Sequence, residues 1–191
     1  MKSSAISIAI FYICCTKAFI VFKVFTLDYY ANETFFENTK CTLRSVDRYH
    51  SYIDIETNLI RTLYNISGHG QLFSCYNNCH PFLMNITFNA CTNRGNTGSY
   101  FVNMVYRIFA RSPSNFNFGR CPYLKGFIYL RNLTANVNIF KIFPIPDNTY
   151  KFIGKIYENE GNTRMLIFRM SYKFNLYRKY EAEGKERVLM G

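Results

Sequence analysis

The residues with chemistry to offer are three histidines and a set of cysteines. The histidines are His50, His69 and His80. A small, basic, secreted ribonuclease would need two of them as acid and base beside a lysine. Their surroundings argue against that pairing. His50 opens an alternating run, His69 sits in Gly68-His69-Gly70, which reads as a loop, and His80 precedes Pro81. No Gly-X-Ser-X-Gly elbow accompanies them, and no carboxylate pair is evident. Turn and surface histidines are the better reading, and the chain is expected not to be an enzyme.

Of the seven cysteines, Cys14 and Cys15 lie in the apolar N-terminal stretch. The other five are Cys41, Cys75, Cys79, Cys91 and Cys121. An odd number leaves at least one thiol free or paired between molecules. An exposed odd thiol would favour a disulfide-linked dimer. A zinc reading of Cys75-Tyr-Asn-Asn-Cys79-His80 lacks a second ligand pair at metal spacing. Neither a metal nor a cofactor is expected.

The elements that hold these residues begin after a leader. Met1-Lys2, an apolar run from Ala5 to Cys15 and Thr16-Lys17-Ala18 read as a signal peptide over residues 1–18. The apolar stretch continues to Phe25, but Lys17 and Lys23 interrupt it, and a span needs ~20 unbroken apolar residues. Stable membrane insertion is therefore not expected. Asn32, Asn65, Asn85 and Asn132 each begin an Asn-X-Ser/Thr acceptor, so a secreted, extracellular glycoprotein is the reading.

The remaining ~170 residues fit one domain. It would cover 19–191, with a core from about 23 to 177 and a tail over 178–191. Nineteen Phe and 16 Tyr supply its core in the absence of Trp. The formal net charge of +11 is scattered. Its one cluster, Arg178 to Arg187, is interleaved with Glu181, Glu183 and Glu186, which suits a solvated surface better than a nucleic-acid partner.

Strand signals recur along the chain. Ser51, Ile53, Ile55, Thr57 and Leu59 alternate with polar residues, so they share one face. Phe82 to Asn89 alternates too, with Phe82, Met84, Ile86 and Phe88 as the core set, which turns Asn85 outward; Asn132 is also expected to face out. Further strands are predicted over Leu124–Arg131, Val137–Phe143 and Tyr150–Tyr157. A turn at Glu160-Gly161-Asn162 then leads to a long strand. On it Leu166, Phe168, Met170, Tyr172, Phe174 and Leu176 face one side. One segment has helical spacing instead: Phe101, Met104, Val105, Ile108 and Phe109, with Ser99 as cap and Pro113 as stop. The fold class is all-β, an antiparallel immunoglobulin-like sandwich with one short amphipathic helix near 99–111. That helix either plugs the sandwich edge or acts as a lid over a cavity mouth.

Pro81 to Cys91, Asn115-Phe116-Asn117, Cys121-Pro122-Tyr123, Cys41 to Arg48 and Pro144-Ile145-Pro146 to Tyr150 form a set. This set resembles the large, mostly dipteran family of secreted proteins catalogued as domain of unknown function 1091. The resemblance departs in two places. Tyr30 stands where members carry an early cysteine, and Cys75 and Cys79 look like additions. Both Cys91 and Cys121 belong to the family cassette and flank the helix, which implies a disulfide between them. The usual partner of Cys41 would be replaced by Cys75 or Cys79.

The family is remotely similar to insect chemosensory B proteins, and through them to ganglioside-activator and ML-type lipid-recognition sandwiches. That implies binding of a hydrophobic small molecule, a lipid or pheromone-like ligand, between two sheets. The walls would be Ile53, Ile55, Ile86, Phe88, Phe168, Met170 and Tyr172, with Phe101 and Val105 on the lid. The other reading is a secreted module that binds a receptor or another protein without a ligand.

Overall fold

A computed structural model of the chain describes residues 17–92, 99–116, 118–134, 145–182 and 185–187. In chain order the elements are β1 (Lys17–Ala31), β2 (Phe36–Ser45), β3 (Ser51–Leu59), β4 (Ile66–Cys75) and β5 (Cys79–Asn89). They continue as α1 (Tyr100–Arg111), β6 (Gly126–Leu133), β7 (Asn148–Glu160), β8 (Thr163–Ala182) and β9 (Lys185–Arg187). The large sheet runs β1-β8-β7-β4-β5, with β9 added beside the end of β8, and the small sheet runs β2-β3-β6. Every named pairing is antiparallel. The two sheets face each other as a sandwich, as the alternation predicts.

Strand β3 carries the expected face: Ser51, Ile53, Thr57 and Leu59 are buried. In β5, Met84 and Phe88 are buried while Leu83 and Asn85 are exposed, so the parity read from the sequence holds. The β7–β8 hairpin turns at Gly161-Asn162, where Gly161 takes φ +57, a left-handed value that glycine adopts without strain.

The long strand β8 corrects one detail. A register shift between Ile156 and Tyr157 places Ile167 inside at 0% exposure, while Leu166 pairs with Tyr157 on the other side of the shift. A bulge reverses which parity faces the core, so Leu166 leaves the apolar face while Phe168 to Leu176 keep it.

Other expectations shift. The strand placed at Leu124–Arg131 starts at Gly126, and Leu124 is 71% exposed. The strand expected at Val137–Phe143 lies outside the described residues. Gly68-His69-Gly70 is not a loop but the middle of β4. Strand β8 also runs on through the expected tail. There Arg178 bonds Asp147 at 2.7 Å, and Lys179, 4% exposed, donates to the Tyr49 hydroxyl. The basic cluster is thus partly built into the sandwich. At the other terminus, the apolar residues after Ala18 form β1, with Val21, Phe22 and Val24 buried. They serve the core of the sandwich.

The long sides of the sandwich are closed differently. Strand β1 reaches across to the small sheet: Phe22 bridges His50, and the Ser51 hydroxyl donates to the Val24 carbonyl at 3.0 Å. On the opposite side the edge strands are β5 and β6. Helix α1 lies there. The chain that follows it pairs with β6 through Ser114 and Leu130, with Arg131 N–H donating to the Pro113 carbonyl at 2.9 Å.

Candidate functional site: an apolar cavity between the sheets

The site begins with side chains that are missing. Gly70 on β4 and Gly154 on β7 are direct register partners, so two adjacent positions of the large sheet's inner face carry no side chain. Bulky residues at both would fill the interior to ordinary density. Here the Phe152 ring lies across the gap: a Cβ on Gly70 would sit 3.3 Å from its Cζ, and one on Gly154 3.1 Å from its Cε1. One position along β4, Gly68 faces Phe88, whose ring lies so close that a Cβ would meet it at 2.3 Å. Glycine therefore lets two phenyl rings lie flat on the sheet, and space opens above them.

That space is two chambers of about 190 Å³ and about 90 Å³. Val105, Phe109, Phe152 and Met170 line both and so form the partition. An apolar void of ~150 Å³ already holds a benzene-sized molecule, so the larger chamber can take a small apolar ligand. The small sheet supplies Ile55, Ile128 and Leu130 opposite the glycine pair.

The fold positions the lid through ordinary local rules. Ser99 caps α1 by accepting the Val102 N–H, and Ser112 ends it, its hydroxyl donating to the Ile108 carbonyl at 3.0 Å. Val102 and Val105 are the buried helix residues, and Phe101, Met104, Ile108 and Phe109 pack partly buried against the core. Phe109 stacks on Phe118 at 4.8 Å between centroids with an interplanar angle of 9°. The helix therefore covers the cavity along its whole apolar stripe. A disulfide between Cys91 and Cys121 ties the end of β5 to the segment entering β6, across the helix-bearing side.

The residues named from sequence fall around this space. Ile55, Phe88 and Phe168 line the larger chamber; Ile53, Phe101 and Tyr172 line the smaller; Val105 and Met170 line both. Ile86 does not line either; it packs into the core beside Gly70. Sequence reading missed Gly70, Gly154 and Phe152 as lining residues, and placed Phe109 on the helix stripe. For Gly70 a signal was present, since Gly68 and Gly70 share one parity with Ile66 and Leu72, but Gly68-His69-Gly70 was read as a loop.

The remaining cysteines correct an expectation. Cys75 pairs with Cys79, not with Cys41. The two are register partners closing the β4–β5 hairpin, whereas Cys41 belongs to β2 in the other sheet. Cys41 is free and half-buried opposite Ile55, and burial pushes its thiol up to about 12. A thiol kept protonated in this way is a poor nucleophile. Cys41 is thus not fully exposed, as the odd thiol of a linked dimer was expected to be.

The histidines do not converge. His50 bonds Asp47 at 2.7 Å on the small-sheet side, and this bond and others hold the Asp47 carboxyl below its ordinary range. His69 bonds the Asn85 amide oxygen at 2.7 Å, and His80 lies near the far end of the same pair of strands. Among the described residues no group of three or more His, Cys, Asp or Glu could hold a metal. No helix among them is long and apolar enough to cross a membrane.

Of the four glycan acceptors, Asn65, Asn85 and Asn132 are exposed. Asn32 is half-buried, with its amide nitrogen donating to the Leu166 carbonyl at 3.5 Å and its oxygen accepting the Thr34 N–H at 3.0 Å.

No curated protein matches the chain. The segment that supplies the glycine-bearing strand, the hairpin, the lid helix and one wall of the cavity, residues 68–152, matches the family model described as Protein of unknown function (DUF1091).

Proposed function

We propose that this is a secreted, non-enzymatic carrier that holds a small hydrophobic molecule between its two sheets. One observation carries the reading: an apolar cavity of about 190 Å³ over the Gly70–Gly154 pair, where ordinary packing would leave none. Apolar walls with few polar groups are what small-molecule sites use. The disulfides fit an oxidising compartment, and the exposed Asn65, Asn85 and Asn132 are the acceptors that glycans would occupy. The sequence resemblance implies a sandwich whose sheets part around an apolar ligand, and that fold analogy points the same way. A chemosensory role would follow if the ligand were a pheromone-like molecule.

The test is native mass spectrometry of the glycoprotein secreted from cultured eukaryotic cells, followed by titration with an apolar fluorescent probe. A co-purified small molecule, or saturable probe uptake, supports the carrier. Neither being found would sink it.

The interaction-module reading would then take its place. Its support is the hairpin clamped by Cys75–Cys79, which presents Tyr76 at 88% exposure.

A further inference from the structure

The inner tyrosines of the large sheet are not equivalent. The Tyr150 hydroxyl donates to the Pro146 carbonyl at 2.7 Å. Across the interior, the Tyr123 hydroxyl accepts the Gly119 N–H at 3.0 Å and faces the Ala90 carbonyl at 3.5 Å. Tyr172 lies at the centre of β8, between Leu27 of β1 and Phe152 of β7, and its hydroxyl has no hydrogen-bond partner among the described residues. Buried tyrosine hydroxyls ordinarily find one.

Its surroundings explain where the hydroxyl goes. Tyr172 is half-buried against the core, and desolvation raises its phenol well above the ordinary range, so it is neutral and can donate. No side-chain oxygen among the described residues is both fully enclosed and unpartnered. The Tyr172 hydroxyl therefore keeps open surface, and the open space that Tyr172 lines is the smaller chamber. Thr134 is the other polar residue there, and no charged residue lines that chamber among the described residues.

We infer that Tyr172 is the polar handle of the cavity: it selects ligands that carry one neutral hydrogen-bonding group, such as an alcohol, aldehyde, ketone or ester, on an apolar body. This deepens the carrier reading and rests on it. The apolar body would occupy the larger chamber and the oxygen would pass the Phe109–Met170 partition to reach Tyr172. A carboxylate is disfavoured, because its charge would enter the smaller chamber with no cation among the described lining residues to meet it.

The experiment uses the intact secreted protein with octane, octan-1-ol and octanoate as probes, their binding measured by equilibrium partitioning. The alcohol should bind roughly tenfold more tightly than the alkane, the effect of about one net hydrogen bond, and octanoate more weakly than the alcohol at neutral pH. Tyr172→Phe should bring the alcohol to within about twofold of the alkane. Tyr150→Phe, whose hydroxyl is already satisfied, should leave the preference intact. If the alkane binds but the preference is absent, or survives Tyr172→Phe, the handle is wrong and the carrier reading stands. If none of the three binds, the carrier reading fails and takes the handle with it. The wild-type ratio of alcohol to alkane is read without any variant, so a folding defect in Tyr172→Phe does not shield the inference.

Discussion

The two long sides of this sandwich are closed by different physics. On the β1 side hydrogen bonds do the closing: Phe22 bridges His50, and the Ser51 and Tyr29 hydroxyls donate to the Val24 and Thr39 carbonyls at 3.0 Å and 3.1 Å. On the β5–β6 side the segment after α1 bridges only β6, and apolar side chains and one covalent bond do the rest. The stripe of α1 lies over the gap, and Cys91–Cys121 links the two sheets behind it. A backbone bridge opens only if strands part, whereas a helix held by apolar contacts can shift without breaking a ladder. Access to the cavity is thus expected through the helix side, and substitutions there should separate binding from folding.

The largest expected effect comes from removing the covalent part of that side. Cys91→Ser with Cys121→Ser frees a loop of 30 residues and should cost about 3–4 kcal/mol in denaturant unfolding. The same treatment of Cys75 and Cys79, only 4 apart, should cost about 2 kcal/mol. Equal losses would mean that the inter-sheet tie is nothing special. Next is Gly68→Ala, which drives a methyl into the Phe88 ring and should destabilise by about 1–3 kcal/mol. An unchanged melting temperature would show that Phe88 has room to move.

Gly70→Val is the informative contrast to Gly68→Ala. Its Cβ needs Phe152 to give only a few tenths of an ångström, its side chain enters the larger chamber, and valine suits a strand. Thermal stability should stay within a few degrees while uptake of an apolar probe is abolished. Retained uptake would place the ligand elsewhere. On the lid, Phe101→Ser should lower probe uptake several-fold with secretion largely intact, and no change in uptake would return α1 to the role of a plain edge plug.

The smallest effect concerns Cys41. Its raised value means that the folded state keeps the thiol neutral. That contribution to stability is complete below the unfolded thiol's ordinary value of about 8.5, and is lost as pH rises from there through about 12. At pH 8 iodoacetamide should label Cys41 only after unfolding. Rapid labelling of the native protein would show that the small sheet's edge opens.

Legibility followed the local character of each signal. The faces of β3, β5 and most of β8, and the helix with its cap, were readable because alternation and helical spacing are properties of neighbours in sequence. Strand β1 was not read as a strand, because Ile20 to Phe25, apolar except at Lys23, reads as the end of a leader, and so dense an apolar run has no period to read. Strand β4 was missed because Gly68 and Gly70 signal a turn until Phe88 and Phe152 are seen lying on them. The bulge at Ile167 was illegible for the same reason: it exists only relative to β7.

By itself the sequence determined the all-β class, the amphipathic helix and most of the residues that line the interior, since each rests on the period of a short stretch of chain. Tertiary structure decided the rest. Which cysteine stays free depends on Cys75 and Cys79 facing each other across a hairpin while Cys41 lies in the other sheet. Whether aromatic stripes make a solid core or a cavity depends on two glycines from distant strands meeting in register, and no single stretch of sequence holds both sides of that contact.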